Sequence, residues 1–176
     1  MGTLFWIFAA VWLLLQVGIP LTAKKYGPAV KARFVERPKT KQPAGVPTKP
    51  ITAASLTAWI TANPASAAGY ACPVLLPCDF VFMFALTGAL GFGSVWAASH
   101  LTWLSGFPSW VWWVLPAVYL AADLTEDVLL MRFLRNKAAS YAALSRATDI
   151  KIKSVVVAIA QLIVLGGPAV LKVLFP

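Results

Sequence analysis

The sequence predicts an all-α protein, a four-helix transmembrane bundle with a short interfacial helix in its first loop. Three observations carry this expectation. Of 176 residues, 60% are hydrophobic and 12% charged, against about 45–50% and about 25% in soluble chains. The mean hydropathy is +0.76. Four stretches each offer the roughly 20 apolar residues that a helix needs to cross about 30 Å of hydrocarbon. The length fits one membrane domain over residues 1–176.

The first span is expected at 3–22, within the charge-free run Met1–Ala23. A secretory leader would want a basic start, and a myristoylation signal a Ser or Thr where Trp6 stands. A retained helix is therefore expected. Residues 24–50 are basic and proline-rich, which suits an extended or disordered loop. Beyond it, Leu56, Trp59 and Ile60 fall at helical spacing. They predict an interfacial helix over 53–62 with its apolar side against lipid. The charge-free block Phe80–Ala122 is long enough for two spans, 80–101 and 109–131. Ser105, Gly106 and Pro108 break it, because proline lacks the N–H and clashes with the preceding turn. The fourth span is expected at 154–175, kinked at Gly166-Gly167-Pro168, with Lys172 snorkelling to the surface.

Positive charge sets the expected orientation. Lys24, Lys25, Lys31, Arg33 and further cations lie between spans one and two, and Arg132, Arg135, Lys137, Arg146, Lys151 and Lys153 between spans three and four. Both loops then face the cytoplasm, both termini face outward, and the membrane is the bacterial inner membrane. Trp6, Trp103, Trp110, Trp112 and Trp113 land together near the outer interface, where an aromatic belt belongs. Lys24, Lys25, Arg132 and Arg135 are the expected contacts for anionic lipid headgroups. The basic loop also reads simply as a topology signal. Nucleic acid is not an expected partner, since no folded aromatic and basic platform accompanies the charges.

Residues Ala62-Asn63-Pro64-Ala65-Ser66 leading to Tyr70, then Asp79-Phe80-Val81-Phe82, form one motif. Ala122-Asp123-Leu124-Thr125-Glu126-Asp127 forms another. Together they resemble a family of small four-helix bacterial integral membrane proteins of uncharacterised function. That family carries an ALGPxGRxxY-like segment, an aspartate opening helix 2 and a DLxEN-like motif in helix 3. The likeness covers roughly residues 50 to 135. Asn63 stands where the motif has Gly, no Arg follows Ser66, and Asp127 replaces the Asn. The resemblance implies the fold and no activity.

Four of the six acidic residues fall at or in the spans: Asp79, Asp123, Glu126 and Asp127. At 100° per residue, Glu126 lies about −60° and Asp127 about +40° from Asp123, while Arg132 points about 180° away. The acids should turn into the bundle and Arg132 toward lipid phosphates. With Gln16 and Gln161 they predict one polar cluster in the cytoplasmic half. No basic residue is expected in the bundle core to neutralise it. Two readings stay open. In one, Asp79 caps its helix, Asp123 accepts hydrogen bonds from Gln16 or Gln161, and Glu126 and Asp127 meet loop lysines in water. In the other, crowded carboxylates bind protons or a cation.

Catalytic templates fit poorly, so no catalytic residue is expected. His100 sits at the opposite end of span two from the acids, which excludes a Ser–His–Asp relay. A single histidine, with Cys72 and Cys78 separated by five intervening residues, matches no common metal spacing. No metal site is expected and no cofactor is named. The thiols should stay reduced on the cytoplasmic side. The small-residue rows Thr87/Gly91 and Ala89/Gly93/Ala97 should make span two central. The expected role is an accessory subunit of a larger membrane complex, alongside partner subunits. The alternative is a small transporter or proton- or cation-coupled binding protein using the acidic cluster. A lipid-directed enzyme stands third.

Overall fold

A computed structural model describes residues 2–25, 30, 31, 35 and 53–175. Most of the basic, proline-rich loop expected at 24–50 lies outside the described residues. The described residues are predominantly helical, and no strand occurs among them. Among the described residues, six α-helices follow in order: α1 Gly2–Lys24, α2 Ala53–Ala62, α3 Pro64–Gly69, α4 Phe80–Ser99, α5 Val114–Leu134 and α6 Tyr141–Leu174. Three helical stretches among the described residues are long and apolar enough to cross a membrane: Gly2–Lys24, the kinked run Pro64–Ser99, and Tyr141–Leu174. The 21-residue α5 has the length, but Asp123, Glu126 and Asp127 interrupt its apolar character.

The helix α4 is the hub, packed by α1, α5 and α6. Its glycines explain why. A Cβ on Gly88 would strike the Phe8 ring, on Gly91 the Trp113 ring, and on Gly93 both Phe5 and Leu162. Each missing side chain is filled by a neighbour's ring or branch, which brings backbones close. Helix α1 runs antiparallel along α4, with Gly2 beside Trp96 and Phe8 over Gly88. Leu13, Leu14 and Val17 of α1 and Ile163 and Val164 of α6 are exposed. Such apolar faces are costly in water and suited to lipid. Trp6, Trp103 and Trp110 are exposed at the same end of the bundle, whereas Trp113 turns inward over Gly91.

Between α3 and α4, Tyr70–Asp79 is an irregular helical segment opened at Cys72 (φ −150°, ψ 116°) and Leu76 (φ −121°, ψ 118°). Each of these residues precedes a proline, whose ring pushes its predecessor out of the helical region. Both cysteines are free thiols. Two differences from the sequence reading matter. Leu56 and Ile60 of α2 are buried in the protein's own core with Tyr70, Val74, Leu130 and Leu144, so this helix turns its apolar side to protein rather than to lipid. And α6 starts at Tyr141, well before Ser154. Ser140 caps it, its Oγ accepting the Ala143 N–H at 3.3 Å. The charged turn that follows is tolerated because its inner face meets acids.

Candidate functional site: a charged layer between two apolar cores

Helix α5 threads two separate apolar clusters. Its Tyr119 belongs to one, with Met83, Leu86, Leu90 and Ala158. Its Leu130 and Leu134 belong to the other, with Leu56, Ile60 and Leu144. The turns between carry Asp123, Glu126 and Asp127, which are 1%, 0% and 2% exposed. Their i, i+3, i+4 spacing puts all three on the face that α4 and α6 cover. Asp79, at the N-terminus of α4, completes the set; its side chain makes no capping bond there.

Contrary to the sequence expectation, two lysines enter this layer. The Lys31 ammonium pairs with Asp79 and Asp127, and lies 3.5 Å from Asp123 Oδ1 and 3.9 Å from Glu126 Oε2. Lys151 of α6 lies 3.1 Å from Asp123 Oδ1 and 2.6 Å from Glu126 Oε2. The reason is the cost of isolation: a buried carboxylate without a partner is destabilising by several kcal/mol, and a positioned ammonium offsets that. Burial alone would lower the Lys31 ammonium's pKa. The carboxylates of Asp79, Asp127, Asp123 and Glu126 outweigh it and hold the pKa well above the usual lysine value.

Hydroxyls complete the layer. Tyr119 donates to Asp123 Oδ2 at 2.8 Å, and Thr148 donates to Glu126 Oε1 at 2.9 Å. The Lys31 backbone N–H donates to the Tyr70 hydroxyl at 3.3 Å, which seats the loop residue against the Tyr70–Asp79 segment. Asp123 thus takes its hydrogen bond from Tyr119 rather than from either glutamine. Gln161 does not belong to the layer. It lies ten residues beyond Lys151 on α6, about 15 Å along the axis, and donates to Ser94 Oγ at 3.0 Å and the Trp112 carbonyl at 3.1 Å. Gln16 does reach the layer, as a wall of the cavity beside it.

That cavity holds about 340 Å³. Gln16, Lys31, Tyr70, Asp79, Tyr119, Asp123 and Lys151 form its polar end, and Leu15, Ile19, Phe82, Leu86 and Val155 supply apolar walls. Helix α1 packs on α4 and on the Tyr70–Asp79 segment, with no comparable contact to α5 or α6. The cavity therefore lies where α1 and α6 flank it without closing on each other.

Donor oxygens of Asp123, Glu126 and Asp127 come within 4.8 Å of one another, close enough to surround a cation. Lys31 lies against all three, and Lys151 against Asp123 and Glu126. His100 stands at the far end of α4, its Nδ1 2.9 Å from the Trp96 carbonyl. Arg132, Arg135, Lys24 and Lys25 are exposed.

Loop lysines do meet Glu126 and Asp127, as one of the two readings expects, but in a buried layer rather than in water, and that reading singles out neither Lys151 nor Lys31. Lys151 was legible: Leu144, Ala147, Thr148, Lys151, Ser154 and Ala158 repeat at helical spacing, which extends the buried face of α6 backward. Lys31 is one cation among many in a loop, and nothing in its local pattern marks it as the one that docks. No protein-family model, curated protein or solved structure matches this chain.

Proposed function

We propose that the chain is a four-span integral membrane protein that binds an organic cation carrying an apolar body. The spans are α1, α4, α5 and α6, with the basic loops cytoplasmic and both termini outside, as the distribution of lysine and arginine suggests. One observation supports the binding reading above others. Lys31 holds its ammonium against four buried carboxylates and at the same time lines the cavity beside them. The site is built for a cation, and the chain's own loop supplies one. A ligand ammonium entering the cavity meets Asp79 and Asp123 and competes with Lys31 for them. Its apolar body fits Leu15, Ile19, Phe82 and Val155. Entry from the bilayer between α1 and α6 suits such a molecule.

The accessory-subunit role has no observation of its own, because exposed apolar faces on α1 and α6 are what lipid alone requires. An enzymatic role draws no support from the layer either, since Tyr119 and Thr148 are both committed as donors to carboxylates.

Calorimetry on the protein in nanodiscs tests the proposal with phenethylammonium and its neutral counterpart phenethyl alcohol. The expected result is at least tenfold tighter binding of the amine, lost in Asp123→Asn. Equal binding of amine and alcohol, or amine binding unchanged by that variant, would overturn it.

A further inference from the structure

The outward face of α5, opposite the charged layer, carries two depressions lined by residues of this helix. Val118, Ala121, Thr125, Val128, Arg132 and Arg135 all fall within about 100° around the helix axis, and every one is exposed. The upper part of this stripe floors a groove of about 550 Å³ along the α5–α6 seam, with Ala122, Ala143 and Ala147 as its small-residue lining. The Thr125 hydroxyl is turned away onto the Ala121 carbonyl at 2.7 Å, leaving its methyl to the groove. One turn further, at Val128, a smaller cleft of about 190 Å³ continues along the same face. Arg132, Arg135 and Lys137 line that cleft, and Arg146 stands on the α6 wall of the groove. Side chains on a helix lean toward its N-terminus, so Arg146 on the antiparallel α6 leans toward the end of the bundle where Arg132 and Arg135 sit. Among the described residues, no carboxylate lines either depression.

We propose that this face seats one anionic phospholipid, an acyl chain in the alanine groove and the phosphate among Arg132, Arg135, Lys137 and Arg146. The charge pattern selects the occupant. An apolar trough that ends in clustered cations, with the cations at the end where α5 leaves its apolar core, matches a molecule that is apolar along its length and anionic at one tip. Arginine forks suit a phosphate in particular. A neutral partner helix would leave these cations unmatched. The site is distinct from the cation cavity, which opens on the other side of α5.

Native mass spectrometry of the detergent-purified protein, titrated with phosphatidylglycerol or with phosphatidylcholine of the same chains, tests it. One phosphatidylglycerol per chain is expected to bind at least tenfold more tightly than phosphatidylcholine. Arg132→Gln with Arg135→Gln should abolish the preference, and Ala121→Phe should weaken retention by blocking the groove. Equal retention of both lipids, or retention unchanged by Ala121→Phe, overturns the proposal. So does a dimer that Ala121→Phe dissociates, which would give the groove to a second copy. If a variant fails to fold, phosphatidylglycerol with a photoreactive acyl chain, crosslinked to the unmodified protein, decides. Adducts within residues 118–150 support the seat, and adducts confined to α1 or α4 sink it.

Discussion

Replacing Lys31 with Met removes the only described cation that touches all four carboxylates of the layer. At the separations to Asp123 and Glu126, 3.5 and 3.9 Å, each attraction is worth about 4–5 kcal/mol at an effective dielectric constant of about 20. The burial of the ammonium itself costs several kcal/mol, and the mutual repulsion of the acids is added back when it leaves. The net expected loss is therefore about 3–5 kcal/mol, as for other buried pairs broken from one side. Asp127 provides the control. Its carboxylate pairs with the Lys31 ammonium. Asp127→Asn in the Lys31→Met background should relieve repulsion, giving a coupling of about 1–3 kcal/mol between the two substitutions. Reversible unfolding in mixed micelles, followed by tryptophan fluorescence, measures all four corners of the cycle. If Lys31→Met unfolds within about 0.5 kcal/mol of the parent, or the two changes add, the layer is not held by Lys31 and the reasoning is refuted.

Two further outcomes follow from the packing and topology. Gly91→Ala should cost about 1–3 kcal/mol, because its Cβ meets the Trp113 ring, whereas Gly18→Ala has open space and should be neutral or stabilising; the same unfolding assay separates them. Cys72 is exposed and Cys78 half-buried in the segment leading into α4. Membrane-impermeant maleimide should leave both unlabelled in intact cells and label Cys72 once the membrane is opened, and labelling from outside would reverse the orientation proposed here.

Much of the architecture was readable because apolar length and glycine spacing act locally. The run to Ala23, the break at Pro108 and the central place of the Gly88–Gly93 region all follow from single stretches of sequence. The acid face of α5 was readable for the same reason, since a carboxylate spacing of three and four residues needs only helix geometry. What the sequence hid was pairing across long separations. Lys31 meets Asp123 across 92 positions, and the choice of that lysine over its neighbours depends on where Tyr70 and Asp79 come to rest. Gln161 was misplaced because span four was started at Ser154. With α6 beginning at Tyr141, the turn that faces the acids is the one bearing Thr148 and Lys151, and Gln161 falls toward the other end of the bundle. The burial of α2 was hidden too, because the same apolar stripe serves a lipid surface or a protein core, and only the neighbouring Leu130 and Leu144 decide between them.

The charged layer also constrains how such a chain is made. A helix carrying three acids near its middle enters lipid poorly by itself, each acid costing up to about 2.5–3.5 kcal/mol at full depth. In the finished protein those acids are met by a lysine encoded long before α5 and by another encoded after it. Synthesis runs from the N-terminus, so Lys31 is already waiting when α5 emerges, while Lys151 is still to come. On the four-span arrangement proposed above, the nascent α5 then depends on the first loop as its provisional partner, and its insertion is completed only when α6 arrives. A chain stalled after Leu134 would hold its acids half-matched, a recognisable mark for membrane quality control.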